Sequence, residues 1–296
     1  MITGKAVPGP WAADTRPLAA GLHFVSTPIG AARDITLRAL DILAMADVLA
    51  AEDTRTLRHL MEIHGIAVGG RPLVAYHEHN AQAALPRLLR ALAEGKSVAY
   101  ASEAGTPLVS DPGFELARAA IAEDLPVTAA PGASAILCAL TIAGLPSDRF
   151  LFAGFPPTAT GARLAFLAEL APVQATLALY ESPKRINRLL AELRDTLGAG
   201  RRAAVCRELT KRFEEVSRGT LAELADGFAT REVRGEIVVL IDRAPPEAAS
   251  EADVEAALIA AMAELSVKDA AAKVAERFGL ARRDVYQMAL KLGKRE

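Results

Sequence analysis

Ala101-Ser-Glu-Ala-Gly-Thr-Pro-Leu-Val-Ser-Asp-Pro-Gly-Phe114 decides how the rest of the chain is read. It follows an apolar run at residues 97–100 with the length and composition of a buried strand. A loop rich in Gly, Pro, Ser and carboxylate, placed where a parallel strand hands over to a helix, is where an open α/β sheet holds its ligand. Helix-start signals come next: Asp111 suits a cap, Pro112 suits a first helical position, and apolar residues from Phe114 onward recur at helical spacing. The local alternative is a strand-to-helix connection with no ligand, and only the neighbouring segments separate the two readings.

Upstream, the same strand, loop and helix succession repeats. Residues 22–26 read as a strand ending in Thr27-Pro-Ile-Gly30, with Asp34 expected to cap a helix over 35–46. Residues 48–51 form a second strand, ending in Glu52-Asp-Thr-Arg55, and Asp53 or Thr54 starts a helix that Gly65 stops. Residues 73–76 are a third, followed by His77-Glu-His-Asn80 and a helix to Gly95 that contains Pro86. Downstream, the strand over 127–130 ends in Pro131-Gly-Ala-Ser134 before an apolar helix. Five strands with intervening helices predict a parallel sheet covered on both faces, its ligand loops gathered along one edge.

Leu145-Pro-Ser-Asp148 marks a boundary, because a second set of strands opens after it. The candidates are 149–155, 175–180, 203–207, 215–218 and 237–241, with helices near 161–170, 184–197 and 221–228. Strands outnumber helices here, so a mixed sheet is expected. Pro245 and Pro246 mark a linker, and three short helical patterns follow, the last two joined through Gly279 in the outline of a helix-turn-helix. The expected organisation is a flexible tail over 1–21, an α/β domain over 22–145, a second over 146–243, a linker over 244–250 and a helical module over 251–296.

A chain of 296 residues with 51% hydrophobic and 24% charged residues has enough apolar material for globular cores without staples. Cys138 and Cys206 make neither a disulfide framework nor a metal site, which suits a reducing, cytoplasmic setting. Residues 125–147 carry no charge, but Pro126, Pro131 and Gly132 break them up, so no membrane span is expected. A formal net charge of −2 gives no global pull toward nucleic acid, and any such partner must meet a local patch. The dinucleotide glycine fingerprint, the Gly-Lys-Ser/Thr phosphate loop and the Gly-x-Ser-x-Gly elbow are all missing. His77 and His79 alternate about Glu78 on an extended segment and point to opposite faces, so no metal is expected there. What remains is a set of strand-end loops suited to a ligand held by main chain. S-adenosylmethionine is one such ligand, and spacing alone does not single it out.

Taken together, several motifs do more. Ser26-Thr-Pro-Ile-Gly30, Asp34-Ile-Thr-Leu-Arg38, Ala51-Glu-Asp-Thr-Arg55, Ala104-Gly-Thr-Pro-Leu-Val-Ser-Asp-Pro-Gly113, Gly154-Phe-Pro156, Tyr180-Glu-Ser-Pro183, Arg207-Glu-Leu-Thr-Lys211 and Gly235-Glu-Ile-Val-Val-Leu-Ile241 resemble the 16S rRNA (cytidine(1402)-2'-O)-methyltransferase family of the tetrapyrrole methylase superfamily. The resemblance runs over residues 22–241 and continues into the terminal helices at Lys268 and Val285. It implies a two-domain α/β fold with S-adenosylmethionine in a cleft, a homodimer, and 16S rRNA of the small ribosomal subunit as substrate.

Carried over motif by motif, the cofactor contacts fall on Pro28, Ile29 and Gly30, on Glu103, Ala104, Gly105, Thr106 and Pro107 with Ser110 and Asp111, and on Ala133, Ser134 and Ala135. The chain departs from the family's usual pattern at Ala31 (usually Asn), Glu103 (Asp), Ala133 (Pro) and Lys184 (His). Asp53, Glu181 and Lys184 are the candidate groups near the reacting oxygen, with Arg55 on a phosphate. Lys184, Arg185, Arg188, Arg207 and Lys211 are candidates for an electropositive RNA track. The plainer readings make Asp53 and Arg55 a cap and surface ion pair, and the basic run a solvated face. Two rival functions are a methylase of a macrocyclic tetrapyrrole and a nucleic-acid-binding regulator that uses the terminal helices on an inactive body.

Overall fold

A computed structural model describes residues 16–108, 113–245 and 251–292, with Glu251 and Ala252 described by backbone alone. Five short apolar strands, β1 (Gly21–Val25), β2 (Val48–Ala51), β3 (Leu73–Ala75), β4 (Ser97–Ala101) and β5 (Val127–Ala130), pair in the order β3-β2-β4-β1-β5. Every pairing in this sheet is parallel. Because side chains alternate across a strand, neighbouring residues serve different cores. Val25, Leu49 and Ala99 pack with Leu40, Leu43 and Met61 on one face, under α1 (Leu37–Met45) and α2 (Thr54–Ile63). Phe24, Ala50 and Tyr100 pack with Leu88 and Leu116 on the other, under α3 (Ala81–Ala93) and α4 (Gly113–Ala122). Tyr100 anchors that second core edge-on to Phe24 and Tyr76, at ring separations of 5.5 and 5.9 Å.

The second sheet contains β6 (Phe150–Gly154), β7 (Thr176–Glu181), β8 (Arg202–Arg207), β9 (Glu215–Thr220) and β10 (Ile237–Ile241), in the order β6-β7-β10-β8-β9. Only β6 and β7 are parallel, so this sheet is mixed, as the surplus of strands predicts. Its helices are α6 (Thr160–Leu170), α7 (Ile186–Leu197) and α8 (Leu221–Phe228). The apolar helix that follows the first sheet, α5 (Ala135–Ala143), packs on the second: Ile136, Ala139 and Leu140 share a core with Ala178, Cys206, Val238 and Leu240. That packing joins both sheets in one compact unit, Met1–Leu170 with Ala175–Asp242.

The other unit is Ala171–Gln174 with Arg243–Glu296. Its helices α9 (Glu251–Met262), α10 (Val267–Phe278) and α11 (Arg282–Leu292) bury Val254, Leu258, Val274 and Val285 among themselves. Ser266 caps α10 by accepting from the Asp269 amide at 3.2 Å, and Gly279, at φ 64°, turns the chain toward α11. Among the described residues no helix is long and apolar enough to cross a membrane.

The structure corrects two expected helix starts. Thr36, not Asp34, caps α1, its hydroxyl accepting from the Ala39 amide at 3.2 Å. Asp34 is spent two residues earlier, where its amide closes a turn onto the Ala31 carbonyl. Helix α7 starts at Ile186 and not at Lys184, because the Arg185 amide closes a turn onto Ser182 at 3.0 Å. The cap and first-turn roles expected of Asp111 and Pro112, the stretch 246–250 of the expected linker and the stretch 1–15 of the expected tail lie outside the described residues.

Candidate functional site

The first sheet reverses its winding between β1 and β4: β2 and β3 lie to one side of this pair and β5 to the other. A crevice opens at the C-terminal ends of strands at such a point. Here the loops after β1, β4 and β5 are tied into one rim. Thr27 and Gly105 exchange main-chain hydrogen bonds of 3.0 and 3.1 Å. The Ser102 hydroxyl donates to the Gly105 carbonyl at 2.6 Å, Ser26 to the Ala130 carbonyl at 3.1 Å and Thr106 to the Ala133 carbonyl at 2.9 Å. Gly105 sits at φ 81°, a left-handed backbone where a β-carbon would lie 3.2 Å from Ile29. At Gly30 a β-carbon would come within 2.9 Å of the Leu209 carbonyl, so only Gly lets the β1 loop approach the loop after β8 this closely.

Against this rim lies a cleft of about 720 Å³. One wall contains Pro28, Ile29 and Gly30 after β1, Glu52 and Thr56 after β2, Glu103 to Thr106 after β4, and Ser134 and Ala135 after β5. The other wall comes from the second sheet: Phe155, Tyr180 to Pro183, Leu209, Lys211 and Gly235 to Val238. Tyr180 is packed by Phe152 and Phe155 at ring separations of 4.8 and 5.4 Å, and burial pushes its phenol pKa up. Pro107 and Ala133 belong to the rim loops without lining the cleft, and Ser110 and Asp111 lie outside the described residues. The expected site omits several residues that line the cleft, among them Thr56, Phe155, Tyr180, Ser182, Pro183, Leu209 and residues 235–238. The signal was present in the motifs Gly154-Phe-Pro156, Tyr180-Glu-Ser-Pro183 and Gly235-Glu-Ile237.

The charged candidates separate. Glu181 lines the cleft with a fully buried side chain, and its Oε1 accepts from the Ser182 amide at 2.7 Å and Arg185 Nε at 2.6 Å. Its Oε2 and Arg185 Nη1 are buried without a protein hydrogen-bond partner. Arg185 is therefore committed to Glu181 and not to an outer track. Lys184 is exposed and does not line the cleft, and Arg188 points toward Glu192 at 4.0 Å. Asp53 also lies off the cleft wall: it caps α2 and binds Arg55 at 2.7 Å, and those bonds hold its carboxyl at about 2. The arrangement is the cap and surface ion pair of the plainer reading, with Arg55 itself 89% exposed.

Arg207 binds Glu215 at 3.0 Å, away from the cleft. Lys211 does line the cleft, between Glu208 at 2.9 Å and Glu236 at 2.5 Å. Burial works against its ammonium, but the two carboxylates outweigh burial and raise its pKa, so it stays a cation. The cleft lining thus carries four carboxylates, Glu52, Glu103, Glu181 and Glu236, against one ammonium. Among the described residues no cluster of His, Cys, Asp or Glu is placed to hold a metal ion.

Comparison with known proteins agrees with this geometry. A family profile described as Tetrapyrrole (Corrin/Porphyrin) Methylases matches residues 21–225, and one described as the RsmI C-terminal HTH domain matches residues 248–293. The chain is 48% identical over 278 residues to the ribosomal RNA small subunit methyltransferase I of Mesorhizobium japonicum, covering 94% of each. It is 43% identical to the protein of the same name from Pseudomonas aeruginosa, covering 91% of this chain and 96% of that one. Among solved structures it shares its fold with the methyltransferase CobJ, at 22% identity and a TM-score of 0.57, over 76% of this chain and 95% of that one. It also shares it with the uroporphyrin-III C-methyltransferase of Thermus thermophilus complexed with S-adenosylhomocysteine, at 21% identity and a TM-score of 0.52, over 74% and 96% of the two chains. With the switch-point cleft, the mixed second sheet and the terminal helices in place, the chain belongs to the tetrapyrrole methylases and, among them, to the ribosomal RNA small subunit methyltransferase I family.

Proposed function

We propose that the cleft holds S-adenosylmethionine and that the protein transfers its methyl group to the ribose 2'-oxygen of a cytidine, position 1402, in 16S rRNA of the small ribosomal subunit. One observation carries the donor: a rim of main chain and small side chains at the β1/β4 switch point, facing a cleft whose charged groups are mostly carboxylates. The volume lies within the range of about 300–1,000 Å³ usual for small-molecule sites. Gly30, Ala104 to Thr106, Ser134 and Ala135 would hold the donor by main chain, and Glu103 would take a ribose hydroxyl. When bound, S-adenosylmethionine supplies an electrophilic methyl group on a positively charged sulfur. The acceptor rests on the printed name of the relatives.

The chain's own contribution is alignment, exclusion of water and removal of a proton. In-line displacement needs the acceptor oxygen fixed opposite the leaving sulfur, so positioning supplies much of the rate. The Phe155 and Tyr180 rings make an aromatic wall. For the proton, Asp53 held at about 2 is a poor acceptor, and protonated Lys211 has no lone pair to offer. Glu181 is a cleft-lining residue whose buried Oε2 has no protein hydrogen bond, and we assign the proton-accepting role to it. Phosphate is disfavoured beside four carboxylates, so only the target nucleotide enters the cleft and the flanking RNA backbone stays on the outer rim, with Lys184 and Arg188 as its contacts. The same charge balance disfavours an acidic tetrapyrrole. The working unit in this reading is a cytoplasmic homodimer.

Labelled donor offered separately to 30S subunits, free 16S RNA and a tetrapyrrole acid tests the proposal. The expected product is ribosomal RNA labelled at one alkali-resistant cytidine linkage. Label appearing only in the tetrapyrrole would replace this function with the macrocycle reading, and absence of donor binding by calorimetry would favour the regulator.

A further inference from the structure

The loop joining β8 to β9, residues 208–214, faces two ways. Leu209 and Lys211 meet the cleft, whereas Phe213, with Arg207 at the end of β8, lines a separate groove of about 290 Å³ beside Arg231, Val233 and Arg234. Phe213 is 64% exposed, and the Arg212 guanidinium lies over its ring at 5.4 Å from the centroid. The loop that presents this ring is pinned. The Glu208 amide donates to the Glu236 carbonyl at 2.9 Å, the Lys211 amide to the Glu208 carbonyl at 3.0 Å, and the Thr210 amide to the Glu214 carboxylate at 2.6 Å. The hydrogen-bonded loop thus holds a large apolar ring out as an available stacking surface.

The charge around the ring names the occupant. Arg207 and Arg231 share one carboxylate, Glu215, and Arg234 pairs with Glu232, while Arg212 is stacked on the ring itself. Guanidinium groups therefore outnumber carboxylates, the reverse of the cleft on the loop's other face. An aromatic face, a guanidinium plane and surplus positive charge together suit an unpaired nucleotide, whose base stacks and whose phosphate is anionic. Resting on the ribosomal RNA reading above, we propose that this groove seats one unstacked base of the RNA strand flanking the target nucleotide, with Phe213 as its stacking surface. The β8–β9 loop then links the two events: one face borders the methyl-transfer cleft while the other fixes the neighbouring strand.

The test uses the full-length protein, a fluorescein-labelled single-stranded RNA oligonucleotide carrying the target cytidine, 30S subunits and S-adenosylmethionine. Phe213→Ala is expected to weaken oligonucleotide binding roughly five- to hundredfold and to raise KM for 30S subunits, because one base–aromatic stack is lost. Phe213→Tyr should restore both, and donor affinity by calorimetry should match the wild type in both variants. Wild-type RNA affinity and KM in Phe213→Ala would overturn the proposal while leaving the proposed function intact. So would a variant that sediments as a smaller particle with unchanged RNA affinity, since the ring would then be covered by a second copy of the chain. A wild-type protein that methylates no ribosomal acceptor would overturn the proposed function itself, and this inference with it.

Discussion

Arg185 stands in a run, Lys184-Arg-Ile-Asn-Arg188, that sequence offers to RNA as a single basic patch. The structure divides the run. Arg185 turns inward onto the fully buried Glu181 carboxylate at 2.6 Å, while Lys184 stays exposed. Removing Arg185 would strand a buried carboxylate, a loss on the order of 3–5 kcal/mol. Removing Lys184 deletes a surface charge, with a stability effect within about 0.5 kcal/mol. Urea titrations should therefore show Arg185→Ala with a much lower midpoint and Lys184→Ala near the wild type. If Lys184 contacts a phosphate, Lys184→Ala should also shallow the salt dependence of RNA binding by a slope of roughly 0.7. Equal midpoints for the two variants would show that the Glu181–Arg185 pair contributes nothing to the fold.

The β8–β9 hairpin shows the same lesson for an element. Glu215 opens β9 opposite Arg207, the last residue of β8, and also binds Arg231, which lies beyond α8. The Arg231 hydrogen bonds, then those of Arg207, lower its carboxyl from 4.5 to about 2. A depressed carboxylate stabilises the fold above its unfolded pKa, and that contribution is lost as pH falls through the folded pKa. Wild-type stability should thus decline between about pH 4.5 and 2, and Glu215→Gln should start less stable at neutral pH and decline less over that window. Parallel acid titrations of the two proteins, with coincident slopes, would remove Glu215 from this role.

Neither Glu215 partnership is legible in sequence, because it depends on the β8/β9 register and on where the chain returns after α8. The cleft divides along the same line. Its first wall is legible because small residues and glycines must follow parallel strands where main chain meets a ligand. Its second wall depends on β10 pairing with β7, distant in sequence, which brings Gly235 to Val238 beside Tyr180 and Glu181. Helix starts fail for a more local reason: Asp34 and Thr36 are both good caps, and only the turn that consumes the Asp34 amide chooses between them.

For the whole molecule, charge sets a division of labour. With 34 basic and 36 acidic residues there is no global field to draw RNA, and the cleft itself carries excess carboxylate. In the proposed reading RNA is held by separate local surfaces, and the donor by the unit that contains both sheets. The terminal helices bury their own core of Val254, Leu258, Val274 and Val285, and none of these residues lines the cleft. Residues 264–296 carry eight Lys or Arg against five Asp or Glu, a modest surplus suited to assisting a phosphate backbone. A chain ending at Asp242 is therefore expected to fold and to bind S-adenosylmethionine with wild-type affinity by calorimetry. Its KM for 30S subunits should rise, and the salt dependence of its RNA binding should be shallower than that of the full chain. If the shortened chain instead lost donor binding, the two cores would not be independent, and the helices would have to be counted as part of the body that builds the cleft.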